Sequence, residues 1–176
     1  MGETVSIVND ISFNKYSGSM SFDFEKEVMY KDVMARKYIN SPRNLEDSRV
    51  EESNECFCVG RGKKRQCHKR GIIDLYDCIE QPKIVSYPHF YMASPEYQTY
   101  AKGLNPSKEK HEAFFEIEPR SGVILHGIRR LQFNVLLTKI PEVALLTNVR
   151  EGIFPILWVE QEIDDYDWYK EALEKD

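Results

Sequence analysis

The sequence lacks the features that mark several large classes of protein. No apolar run approaches the ~20 residues that a membrane-spanning helix needs. The first residues, MGETVSIVNDISF, hold neither a basic region nor an apolar core, so they do not read as a signal peptide. Met1-Gly2 followed by Ser6 fits the myristoylation pattern only loosely and reads as coincidence. No Asn-x-Ser/Thr acceptor exists, since proline follows Asn105. Gly-x-Ser-x-Gly, a phosphate loop and His-Glu-x-x-His are all missing. None of the four histidines, His68, His89, His111 and His126, sits in a recognisable catalytic arrangement. These absences argue against an enzyme and suggest no cofactor. No internal repeat or low-complexity segment is visible.

What is present is mixed globular material. The 176 residues fit one domain with a real core. They are 41% hydrophobic, 12% aromatic and 30% charged. The net charge of −5 argues against a general nucleic-acid binder.

Met20, Phe22 and Phe24 alternate with Ser19, Ser21, Asp23 and Glu25, the pattern of a half-buried strand. Lys31-Asp32 turns the chain, and Val33 to Ile39 returns as its partner, giving a hairpin over 16–39. Residues 40–55 are polar and acidic and read as a solvated surface connector.

All four cysteines crowd into 56–78. Cys56, Cys58, Cys67 and Cys78 could ligate zinc with His68, form disulfides or remain thiols. Zinc sites usually separate paired cysteines by two to four residues. Here one residue separates Cys56 from Cys58. Between and beside them, Arg61, Lys63, Lys64, Arg65, Lys69 and Arg70 form a candidate patch for anionic ligands. A solvated loop tip is the plain alternative. Ile72 to Tyr76 reads as a short apolar strand.

The stretch from Pro82 to Gly122 organises the rest. Ile84-Val85-Ser86-Tyr87 reads as a buried strand that Pro88 ends, because proline has no N–H for a ladder bond. His89 reads as a packed ring bonded to a backbone carbonyl, and His111 as facing water. Ser94-Pro95-Glu96 is a helix start, and Gly103-Leu104-Asn105-Pro106 a turn. His111 to Glu118 reads as a strand, followed by the turn Arg120-Ser121-Gly122 and the long strand Val123 to Thr138. Together they predict an antiparallel hairpin that buries Phe115 and Phe133. Leu131, Phe133 and Val135 share one parity, with Phe115 and Ile117 across the turn. These five are candidates for lining either a core or a lipid cavity. Ile153 to Val159, with Pro155 inside, reads as an edge strand or a bulge. Strands are thus expected over 82–161 and a terminal helix or tail over 162–176, all in one domain.

PHFYMASPEY, GLNPSKEKHE and FEIEPRSG, with CFC…C…GIIDLYDC upstream and RRLQFNVLL and FPILWVEQ downstream, fall in order at characteristic spacing. This series resembles the class B scavenger receptor family, in its insect branch near the sensory neuron membrane proteins, from about Ser17 to Gln161. The resemblance implies an α+β fold, mainly antiparallel β, as part of an irregular β-barrel ectodomain with short helices and a hydrophobic tunnel. It implies a membrane protein at the extracellular face of the plasma membrane that binds or transfers lipids or fatty-acid-like ligands. A protein ligand or co-receptor is a second partner class, and nucleic acid is not one. It also implies a disulfide between Cys58 and Cys67. The family bonds the positions of Cys56 and Cys78 to upstream cysteines; Ser17 stands at one of those positions, and the other would precede Met1. By the resemblance, neither the family's helical apex nor its two membrane spans have counterparts here. The rival reading is a soluble cysteine-stapled or zinc-binding interaction module without a lipid cavity.

Overall fold

In a computed structural model, the protein is described over residues 3–8, 19–60, 65–79 and 83–174. The strands are β1 (Thr4–Val8), β2 (Ser19–Tyr30), β3 (Val33–Asn40), β4 (Ile73–Asp74), β5 (Ile84–Ser86), β6 (Phe114–Ile117), β7 (Ile124–Leu137) and β8 (Gly152–Asp164). Helices are short: α1 (Tyr76–Ile79), α2 (Pro95–Gln98), α3 (Lys108–His111) and α4 (Tyr166–Leu173). The fold is therefore mainly antiparallel β with a few short helices, and its contacts group into two compact units.

The first unit comprises residues 1–44, 112–130 and 160–176. Its strands run in the order β1, β2, β3, β6 and the first part of β7. β2 and β3 close on each other at Tyr30 and Val33, and Lys31 takes a left-handed φ of 52° to make the turn. The register of this pair shifts between Phe24 and Lys26. Such a bulge re-aims the side chains beside it. Phe22 and Phe24 precede it in one unbroken register; Phe22 is buried, whereas Phe24, expected to be buried with it, is 37% exposed and lies edge-on to Tyr38.

The core of this unit is Phe22, Tyr38, Ala113 and Phe115, with Ile117, Ile124 and Ile163 packed against it. Phe22 and Phe115 meet edge-to-face at 4.8 Å and 73°, a favourable ring geometry. The turn between β6 and β7 is built on Glu118. Its carboxylate accepts the N–H groups of Arg120 at 3.1 Å and Ser121 at 2.6 Å, and the Ser121 hydroxyl at 2.7 Å. Burial alone would raise that carboxyl, but the Ser121 and Arg120 bonds outweigh it and hold it below its usual range. Gly122 supplies the positive φ of 75° that closes the turn.

The second unit comprises residues 45–111 and 131–159. β5 is buried throughout and lies between β4 and the second part of β7, with Val85 opposite Phe133 and Ser86 opposite Gln132. Its core is Ile72, Ile84, Phe90, Ala93 and Ile153, flanked by Tyr97 and Leu104. The strand expected over Ile72 to Tyr76 narrows to the two residues of β4. The Asp74 carboxylate accepts the Tyr76 N–H at 2.9 Å and starts α1 instead.

The 40–55 stretch is more structured than a solvated connector. It holds a 3₁₀ turn at Pro42–Leu45, and another begins at Glu52. Leu45, Asn40 and Ser41 are buried. After Pro88 the backbone is tightly wound: His89, Phe90 and Met92 all take positive φ. Such conformations persist only where the surroundings over-determine them. Here the Gln98 amide donates to the Phe90 carbonyl at 3.1 Å, and the Asn105 N–H donates to His89 Nδ1 at 3.1 Å.

Candidate functional site

Successive side chains of a strand point to opposite faces. Along the second part of β7, burial follows the polar parity. Gln132 and Asn134 are each 2% exposed, whereas Leu131, Phe133 and Val135 are only half-buried. The hairpin was expected to bury both phenylalanines; Phe115 is buried and Phe133 is not. The physical reason is a closed network. Gln132 Nε2 donates to Ser86 Oγ at 3.1 Å and Asn134 Oδ1 at 2.9 Å. Asn134 Nδ2 donates to Ser86 Oγ at 3.0 Å, and Gln132 Oε1 accepts the His89 N–H at 2.8 Å. Polar groups so fully paired carry little burial penalty, and the apolar parity is left on the more open face.

β8, which pairs with β7, continues that apolar character. Phe154, Ile156, Leu157, Trp158 and Val159 are all exposed, and only Ile153 of this run enters the core. Phe154 lies edge-on to Tyr100 and Trp158 to His111. The strand extends past the expected edge segment, on to Asp164. Of the five lining candidates, Ile117 packs against the first unit's core.

Cys58 and Cys67 are joined in a disulfide with Cα atoms 4.3 Å apart. A bridge pair between Val59 and Gln66 closes the same loop from inside. Both sulfurs are thereby removed from any zinc site, and the described residues contain no group of three or more His, Cys, Asp or Glu able to hold a metal. Cys56 is exposed, and the Cys78 side chain lies outside the described ones. Of the basic candidates, Arg61, Lys63 and Lys64 also lie outside the described residues. Arg65 is ion-paired with Glu55, and Lys69 with Glu96. Those two charges are therefore partly neutralised within the chain, while Arg70 is exposed.

The histidines differ from expectation. His89 Nδ1 accepts a backbone N–H rather than the ring bonding a carbonyl. His111 is buried, because it ends α3, where its Nδ1 accepts the Ser107 N–H at 2.9 Å. It stacks on His89 at 4.4 Å. His126, to which the sequence gives no role, stacks on Tyr30 at 4.7 Å with Glu116 at 3.1 Å on one ring nitrogen and Glu162 at 3.5 Å on the other. Burial first, then the bond to Asp164, push the Tyr30 hydroxyl up to about 12.

The model of the CD36 family matches residues 13–172. The chain belongs to the CD36 family. It is 35% identical over 175 residues to sensory neuron membrane protein 2 of Ostrinia furnacalis, a match covering 91% of this chain and 33% of that protein. It is 32% identical over 163 residues to sensory neuron membrane protein 1 of Pediculus humanus subsp. corporis, covering 92% of this chain and 30% of that one. Sensory neuron membrane protein 2 of Manduca sexta is 39% identical over 127 residues, covering 70% and 24%. This CD36-family chain thus spans about a third or less of the length of these relatives. The relatives are named as membrane proteins, and no helix among the described residues of this chain is long and apolar enough to cross a membrane.

Proposed function

We propose that the chain forms part of the ectodomain of a scavenger-receptor-like membrane protein that binds or transfers lipids, displayed on the extracellular face of the plasma membrane. In this reading β7 supplies one wall of a hydrophobic path. The observation that carries it is the half-open apolar parity Leu131, Phe133 and Val135, backed by the closed Ser86–Gln132–Asn134 network. An acyl chain laid on such a wall leaves water and gains about 0.8 kcal/mol per buried CH₂. That term does not discriminate between chain types, so specificity rests with polar groups at the mouth. No bond-making role is assigned to any residue; the protein acts as a receptor rather than an enzyme. A protein ligand or co-receptor is a second partner class, and the basic residues around the Cys58–Cys67 loop remain a candidate patch for anionic ligands.

The test is titration of a fluorescent long-chain fatty acid into the purified chain, with light scattering recorded alongside. One wall alone does not enclose a ligand, so uptake should be non-saturating and should rise with scattering. Saturable binding at one ligand per monomer would show a cavity complete within these residues and overturn the single-wall reading.

A further inference from the structure

His89, in the turn after β5, and His111, at the end of α3, stack ring on ring within the second unit, with centroids 4.4 Å apart and planes 17° from parallel. Each ring accepts a backbone N–H on the same atom. The Asn105 N–H donates to His89 Nδ1 at 3.1 Å, and the Ser107 N–H donates to His111 Nδ1 at 2.9 Å. A ring nitrogen that accepts carries no proton, so both rings are the neutral tautomer with its proton on Nε2.

The two bonds hold backbone that local propensity does not. His89 takes a φ of 53° and Phe90 one of 55°, a winding that only its surroundings keep. α3 is a single turn, too short to stand alone in water. Two reciprocal bonds close it: Ser107 Oγ accepts the Lys110 N–H at 3.3 Å, and the His111 ring reaches back to the Ser107 N–H. The arrangement follows the logic of a capping box, with an imidazole in place of the usual carboxylate or amide. An amide accepts at any pH; an imidazole accepts at Nδ1 only while it is neutral.

A second proton enters either ring only at Nδ1, where a backbone N–H already points. It also sets a charge against the other ring, and His111 is only 4% exposed. Facing the stack are the Gln132 amide of β7, which accepts the His89 N–H, and the Trp158 ring of β8, edge-on to His111. Neither titrates. The charged neighbours along the chain are Lys108, Glu109 and Lys110 of α3, all exposed, and the buried Glu112 after it. We propose that the His89–His111 stack is an acid-released clasp: two neutral rings pin the chain from Asn105 to His111 beside the turn at Pro88–Phe90, and protonation of either ring frees its end. The unclasped chain binds more protons than the clasped one, so the clasp holds at higher pH and opens as the pH falls through the histidine range.

The test is amide hydrogen exchange on the full isotope-labelled chain from about pH 8 to pH 5, the span over which an ordinary histidine changes charge. Protection of the Asn105 and Ser107 amides should fall by about tenfold per pH unit for each proton taken up. Asparagine places an acceptor where Nδ1 stood, takes no proton and tolerates the left-handed φ of position 89. His89→Asn should therefore keep the Asn105 amide protected in acid and leave that of Ser107 labile. His111→Asn should do the reverse, and it carries the test if His89→Asn does not fold. Wild-type protection unchanged across this range, or acid release of the substituted ring's own amide in a folded variant, would overturn the proposal.

Discussion

Gly127 lies directly against the ring of Phe115: a β-carbon there would stand 2.4 Å from Cδ1. The two residues are register partners across β6 and β7, and Phe115 is also the ring that meets Phe22 edge-on. The missing side chain is what lets Phe115 lie over β7 and complete the first core. In a strand, alanine is ordinarily better than glycine. Here Gly127→Ala should destabilise by about 1–3 kcal/mol, the usual cost of overpacking. Urea unfolding measures it, and a stabilised variant would show that the ring has room to move.

The two phenylalanines of the hairpin should respond unequally. Phe115→Ala removes a fully buried ring and should cost about 3–5 kcal/mol. Phe133 is half-buried, so Phe133→Ala should cost about 0.8–1.5 kcal/mol, half the transfer free energy of a fully buried side chain. Equal losses in denaturant unfolding would place Phe133 in the interior and remove the open face.

The difference between these residues explains what was legible in the sequence. Lys31-Asp32 and Arg120-Ser121-Gly122 are turn chemistry between apolar runs, and both hairpins form about them. Ile84 to Ser86 is continuous and apolar enough to mark a buried strand. The face of β7 was not legible, because apolar parity predicts burial only where polar residues lack partners. Ser86, Gln132 and Asn134 satisfy one another across strands brought together by the fold, and nothing local reports that. The bulge near Phe24 and the burial of His111 likewise depend on distant partners. β1 was passed over although Thr4, Val5, Ile7 and Val8 are β-branched, a strand signal in themselves. The disulfide between Cys58 and Cys67 was implied by resemblance, while their spacing alone left zinc and free thiols open.

That disulfide closes a loop with a sequence separation of 9. On the chain-entropy account, a loop of this size contributes roughly 2–3 kcal/mol. The Cys58→Ser/Cys67→Ser pair should lose that amount in denaturant unfolding under oxidising conditions. Unchanged stability would mean that the Val59–Gln66 bridge and its neighbours hold the loop without the bond.

α4 should leave its seat in acid before the strands melt. Lys170 first, then Tyr166, hydrogen-bond the Asp32 carboxylate and hold it at about 2, against an ordinary 3.8. A depressed carboxyl gives stability that is present above pH 3.8 and is lost as the pH falls towards 2. On the alkaline side Tyr30 is raised, so its contribution is present below pH 10.0 and is lost as the pH rises towards 12. Amide exchange over Tyr166–Leu173 should accelerate in the acid window, and Asp32→Asn should already show fast exchange at neutral pH. Identical acid profiles for the two proteins would contradict this anchoring of α4.

The central claim is that the apolar parity of β7 faces a lipid. It is tested most directly by replacing the matching stretch of the Ostrinia furnacalis relative with residues 13–172 of this chain and labelling the chimera with a photoactivatable fatty acid. The account predicts cross-links at Leu131, Phe133 or Val135, competed by unlabelled fatty acid and absent from Gln132 and Asn134. Competed labelling that falls only elsewhere, with 131–135 untouched, would contradict it.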